Sequence, residues 1–420
     1  MWKFLLWALV IIALVLAIGL GIAQDQEVLQ IESLRAASDP EFPAYIAALT
    51  GTALTTGNSF EVLVNGDRVF PSMLDAIRRA KRQISFETYI YSPGAIADQF
   101  TTALEAAARR GVRCNIVLDA VGSKDTGRDH LDRLRRAGCT VGTFNTSSWY
   151  NFEELNYRTH RKILVVDGVV GYIGGVGVAD YWAGDAQDAE HWRDTQVKMT
   201  GPSVRHLEAG FYENLAETVH PVTPRFEPPE QEFTPGDAER TLVLWSSPVG
   251  GSSNMKLLYL VSIAAARQTL DICTPYFLTD ESTMWAIERA VDRGVRVRIL
   301  VEGDITDAKP VKYASRHAYE RLMSKGIEIH EYRPTMMHAK TMIVDGTWSV
   351  FGSANFDNRS LELNDEMNAG VADIPLAARL IADFDADLRR ATRLDLESWR
   401  RRPWLERSRE KFWSMFGEVF

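Results

Sequence analysis

One octet of residues is written twice in this chain. His160-x-Lys162-x4-Asp167 recurs as His338-x-Lys340-x4-Asp345. Each Asp is followed by a glycine (Gly168, Gly346), and another glycine lies seven residues beyond each Asp (Gly174, Gly352). The surrounding text repeats too. Arg110-Gly111-Val112-Arg113 before Ile116-Val117-Leu118-Asp119 answers to Arg293-Gly294-Val295-Arg296 before Ile299-Leu300-Val301-Glu302. In a chain of 420 residues this period is close to half the length. Solenoids repeat every ~20–50 residues, so the pattern describes a duplicated domain, with a site expected where the copies meet.

Within each copy, helix and strand signals alternate. Phe70, Met73, Leu74, Ile77 and Ala80 recur at helical spacing, and Ile84, Phe86, Thr88 and Ile90 then alternate as in a strand. A helical stretch to Arg110 leads through Gly111 to an apolar strand around 114–118. The expected fold is α/β: two duplicated αβ domains in a pseudo-twofold sandwich, at 57–220 and 241–398. Residues 24–56 read as a connecting region. Residues 221–240 read as a linker, because Pro221, Pro224, Pro228, Pro229 and Pro235 interrupt both strand and helix.

Residues i and i+2 of a strand share a face, so each His and Lys are expected to project together. Two such faces brought together place two imidazoles and two ammonium groups around one small volume. A phosphodiester needs that arrangement. Lysines supply charge to the non-bridging oxygens; one imidazole attacks phosphorus, and the other, protonated, donates to the leaving alcohol. Asp167 and Asp345 are candidates to hold an imidazole in its tautomer. The scheme calls for no metal and no cofactor.

The doubled motif resembles the phospholipase D superfamily, and the text around it resembles the bacterial cardiolipin synthase-like branch. The matching residues include Phe86-Glu87-Thr88-Tyr89-Ile90, Trp192-Arg193-Asp194-Thr195 and Gly352-Ser353-Ala354-Asn355-Phe356-Asp357-Asn358-Arg359-Ser360. The likeness runs from about Gly57 to about Arg409. It implies two phospholipase D-type domains, with His160 as nucleophile and His338 as general acid/base. Lys162, Lys340, Ser353 and Asn355 would bind phosphate. In the first half the Ser and Asn positions are Gly175 and Gly177, which leaves Lys162 and backbone N–H groups, that of Gly175 among them, to bind phosphate there. Glu366 matches an acidic position near the family's site, and Glu87 is a similar candidate. The implied reaction joins two phosphatidylglycerol molecules into cardiolipin and releases glycerol. The alternative is hydrolysis to phosphatidic acid.

Composition bears on the partners. Lys plus Arg number 47 against 56 Asp plus Glu, a net charge of −9, which disfavours the superfamily's nuclease chemistry and a nucleic-acid partner. Three scattered cysteines (Cys114, Cys139, Cys273) make neither a disulfide framework nor a zinc site. The run from Phe4 to Ala23 carries no charge and is long enough, at about 30 Å as a helix, to span a bilayer. Residues 1–23 therefore read as an N-terminal transmembrane helix, a cleaved signal peptide being the rival. Lys3 places the amino terminus in the cytoplasm and the catalytic body on the outer side. Residues 399–420 mix basic and aromatic side chains, as suits either a membrane interface or a helix packed on the second domain.

Overall fold

The computed structural model describes residues 2, 7, 28–33, 35–145, 157–224, 226, 239–247 and 254–417. In chain order the strands are β1 (Leu54–Thr55), β2 (Ser59–Val64), β3 (Gln83–Thr88), β4 (Arg113–Asp119), β5 (Thr140–Phe144), β6 (Ile163–Val166), β7 (Val170–Gly174) and β8 (Thr195–Thr200). There follow β9 (Arg240–Trp245), β10 (Thr269–Cys273), β11 (Phe277–Leu278), β12 (Arg296–Glu302), β13 (Glu328–Tyr332), β14 (Thr341–Val344), β15 (Trp348–Gly352), β16 (Phe356–Asp357), β17 (Met367–Ala372) and β18 (Ala391–Arg393). One sheet runs β2-β8-β7-β6-β3-β4-β5, and the other runs β1-β9-β17-β15-β14-β10-β12-β13-β18. Without its edge strands β1 and β18, the second order reproduces the first, strand for strand.

Helices cover the parallel part of each sheet. Ala95–Arg109 carries β3 over to β4, burying Ile96, Phe100, Leu104 and Ala107 along one face. The chain then turns at Gly111, whose φ of 90° suits a residue without a β-carbon. Every residue of β3 is buried, so its alternation is chemical rather than one of exposure. Ile84 and Phe86 enter the helix-side core, whereas Gln83 and Ser85 donate to Glu208 on the other face. A further core is shared by both halves. It gathers Val117, Ile163 and Ile173 with Val243, Ile343 and Phe351, over helices Val204–Thr218 and Ile374–Leu388.

Two expectations need correction. Residues 42–55 are no passive connection. Helix Phe42–Thr50 sinks Phe42 and Ile46 into the second half's core, with the Phe42 ring edge-on to Trp348 at 5.4 Å, and β1 extends the second sheet through β9. Their apolar spacing makes a helix face that, among the described residues, the second half covers. The His and Lys of each octet also precede β6 and β14 instead of lying on them. Among the described residues no helix is long and apolar enough to cross a membrane. The expected transmembrane run, Trp7 aside, lies outside those residues, as does most of the proline-rich linker (227–238). The cysteines are buried and unpaired.

Candidate active site

Each His-x-Lys segment leaves its own sheet and pairs with the other half. The Asp365 N–H donates to the Arg158 carbonyl at 2.8 Å, and the His160 N–H donates back to the Asp365 carbonyl at 2.9 Å. The second copy repeats the arrangement: Arg193 donates to Met336 at 2.9 Å, and His338 donates to Arg193 at 2.7 Å. These exchanged backbone bonds are what bring the octets together. Each lysine then folds back on its motif, with Nζ of Lys162 2.7 Å from the His160 carbonyl and Nζ of Lys340 2.5 Å from that of His338.

The residue after each crossing carries a carboxylate. Glu366 lies one position past Asp365, and its oxygens are 2.9 and 3.1 Å from Nδ1 of His160. Asp194 lies one position past Arg193, and its Oδ2 is 2.7 Å from Nδ1 of His338. Each histidine is thus held by the opposite half. A neutral imidazole donating from Nδ1 keeps its lone pair on Nε2. Both tautomers follow from this hydrogen bonding.

Burial sets the charges. It pushes His160 down to about 4 against the pull of Glu366, with the Lys162 charge adding to the fall. Burial and then Lys340 push His338 down to about 3. Lys162 falls to about 7 and Lys340 to about 8, again through burial first. Burial acts to raise Glu366, but His160, Lys162 and Ser353 outweigh it and hold the carboxyl at about 2. The charge of Lys340 reaches His160 and that of Lys162 reaches His338, so the four bases share one volume. An entering phosphodiester anion offsets both ammonium charges and raises both imidazoles.

The two sides of this volume differ. In the second half Ser353 Oγ donates to Glu366 at 2.5 Å and accepts the Met367 N–H at 2.9 Å; it is committed to the carboxylate, not to phosphate as expected. In the first half the donor is Trp182, whose Nε1 is 2.9 Å from Asp194 Oδ2. A β-carbon at Gly175 would come within 2.3 Å of Asp194, and one at Gly177 within 2.7 Å of the Trp182 ring. Both glycines therefore make room for that pair. The Gly175 N–H donates to the Thr195 carbonyl at 3.3 Å, which removes it as a phosphate donor. Around His338 stand Trp182 and Trp192, each 5.4 Å away between ring centroids; beside His160 stands Tyr89 at 5.2 Å. Asn355 is buried, and among the described residues its Oδ1 has no partner.

Asp167 and Asp345 are not at the imidazoles. Each sits in a left-handed turn (φ 56° and 51°) at the far end of β6 or β14. Asp167 accepts the N–H groups of Lys81, Arg82 and Gln83 at 2.7–2.9 Å, and Asp345 those of Arg267, Gln268 and Thr269 at 2.7–2.9 Å. They pin the loop entering β3 or β10. Glu87 is likewise no ligand for substrate: it accepts from Thr159 and from Asn214 and stays buried behind His160. Burial raises it to about 7. Among the described residues no three His, Cys, Asp or Glu side chains gather as a metal-ion site needs.

The family described as "Cardiolipin synthase, PLD-like domain" matches residues 73–185 and 259–388. The chain belongs to that family. It is 33% identical over 347 residues to a cardiolipin synthase of a Geobacillus species, a match covering 81% of this chain and 68% of that one. It is 32% identical over 345 residues to cardiolipin synthase A of Pseudomonas aeruginosa, covering 81% and 69%. The fold resembles that of phosphatidylserine synthase from Haemophilus influenzae, with a TM-score of 0.70, 14% identity, and coverage of 90% of this chain and 100% of the other. For the PLD-like family member described here, Asp194 and Trp182 are the site residues that motif reading alone does not find.

Proposed function

We propose that the protein is a phosphatidyltransferase that makes cardiolipin and glycerol from two molecules of phosphatidylglycerol. The observation that carries this reading is the crossed pairing of His160 with Glu366 and His338 with Asp194 around two buried lysines. Lys162 and Lys340 bind the non-bridging oxygens of the donor lipid. Nε2 of His160 attacks phosphorus. The bond from phosphorus to the glycerol oxygen breaks, and protonated His338 gives its proton to that oxygen. Glycerol leaves, and the phosphatidyl group stays on His160. The hydroxyl of a second phosphatidylglycerol gives its proton to His338 and attacks phosphorus, freeing His160. The indoles of Trp182 and Trp192 stand against the His338 ring, and this apolar wall supports its acid/base role, since excluding water favours an alcohol as the acceptor. Glu366 and Asp194 stabilise the imidazolium that forms at each stage.

The uncharged run from Phe4 to Ala23 supports a tether in the cell membrane, with Lys3 on the cytoplasmic side and the catalytic body outside. The experiment that tests the reaction supplies purified full-length protein with phosphatidylglycerol vesicles and no added divalent metal. Cardiolipin and glycerol in equal amounts are expected. Phosphatidic acid as the sole lipid product would overturn the transferase reading in favour of a hydrolase.

A further inference from the structure

The carboxy-terminal helix Trp404–Ser414 is fastened by one face. Glu410 is buried on that face, 3.1 Å from Nε of Arg316 and 2.5 Å from Nη1 of Arg402. Arg402 in turn lies 3.4 Å over the ring of buried Trp399. Among the described residues the opposite face has no such cover. Trp404 is 76% exposed, Leu405 65%, Phe412 51% and Met415 65%. At 100° per residue these four and Ser408 fall in one sector about 100° wide, centred opposite Glu410. Arg409 borders the sector on one side and Lys411 on the other. Four large apolar side chains in one exposed stripe call for an occupant, as scattered ones do not.

Charge and position indicate which occupant. Between Trp399 and Gly417 six Lys and Arg stand against two Glu, in a chain whose net charge is −9. An apolar stripe between cationic borders matches the interface of an anionic bilayer, where rings sit among headgroups and long basic side chains reach the phosphates. The helix also ends against β11, whose partner strand follows directly on Asn355. A β-carbon at Gly417 would lie 3.6 Å from Leu278 of β11. β11 pairs with β16, which begins one residue after Asn355.

We propose that the exposed face of the Trp404–Ser414 helix docks on an anionic phospholipid bilayer and sets the mouth of the catalytic volume against the surface that carries the substrate. This rests on the lipid-transfer reading above for its purpose, though not for its test.

Cys114, Cys139 and Cys273 are buried, so a Ser408→Cys variant takes an environment-sensitive fluorophore at that position alone. The full chain is reconstituted into vesicles of phosphatidylcholine with or without phosphatidylglycerol. The label is expected to shift to the blue and to be quenched by spin-labelled lipid only when phosphatidylglycerol is present. A label that stays water-exposed on those vesicles, while the same sample makes cardiolipin, overturns the docking face and leaves the reaction intact. A label buried without lipid, in a sample that self-associates on sedimentation, overturns it in favour of a second copy. A label buried in anionic vesicles that make no cardiolipin supports the face and counts against the reaction instead. As a second measurement, Leu405→Glu combined with Phe412→Glu should slow turnover of vesicle-borne phosphatidylglycerol about ten-fold or more, and that of a dispersed short-chain analogue less than about two-fold. Equal loss on both substrates would contradict the proposal.

Discussion

The carboxylate of Glu366 lies 2.9 Å from Nδ1 of His160, although 206 residues of chain separate them. The matching bond from Asp194 to His338 spans 144 residues in the opposite sense. Each half therefore supplies the base that it uses and the carboxylate that its partner uses. Neither half holds a complete site.

Glu366→Gln and Asp194→Asn keep the shape of each contact and remove the charge that fixes the tautomer. Each variant is expected to lower kcat by about 10²–10⁴-fold with KM nearly unchanged. Steady-state kinetics on phosphatidylglycerol vesicles checks this. A rise in KM at constant kcat would mean that the carboxylates act in binding.

The pH dependence follows from groups that burial has displaced downwards. In the free enzyme Lys162 and Lys340 lose their protons near 7 and 8. As pH rises through that window the phosphate loses its cationic partners, so kcat/KM should fall. On the acid side His160 gains a proton near 4 and stops being a nucleophile, so kcat/KM should fall again. Lys162→Arg, whose charge persists to high pH, should move the alkaline limb upwards. An alkaline limb unmoved in that variant would assign it to another group.

Asp167 and Asp345 belong to the fold and not to the reaction. Asp345→Ala leaves three N–H groups without their acceptor and should cost about 1–3 kcal/mol of stability, read as a lower thermal midpoint. Well below that midpoint, kcat should stay within about three-fold of the parent. A folded Asp345→Ala protein without turnover would return this residue to the catalytic set.

Gly175→Ser restores the serine of the second copy and is still expected to damage the first. The new side chain meets Asp194, which is already held by the Thr195 N–H, the Trp182 indole and His338. Moving it releases His338, and kcat should drop about ten-fold or more. Unchanged kcat, or a gain, would show that the indole is no substitute for the serine.

The duplication was legible because the same octet and the same turn residues are written twice, and identical strand order follows from identical text. The partners of the histidines were not. The octet carries its own aspartate, which is an obvious candidate, yet that residue lies seven positions beyond the histidine at the other end of a strand, about 23 Å of extended chain at 3.3 Å per residue. Asp194 stands in the matched text Trp192-Arg193-Asp194-Thr195, but its role was readable from its place in the repeat. It directly precedes β8, as Glu366 directly precedes β17, and these strands flank β7 and β15 in the two sheets. Trp182 left no sequence signal, since its place is defined by the space over Gly177. Helix Phe42–Thr50 was not anticipated within the connecting region 24–56, because the contacts that bury its apolar face join distant parts of the chain.

The central claim is that one imidazole carries the lipid phosphate while the other moves the proton. It is tested most directly by rapid acid-free quenching of the His338→Ala protein with phosphorus-labelled phosphatidylglycerol, followed by peptide mapping. The account predicts a base-stable, acid-labile phosphatidyl adduct on His160, and none in His160→Ala. An adduct on another residue, or full turnover by either variant, would contradict it.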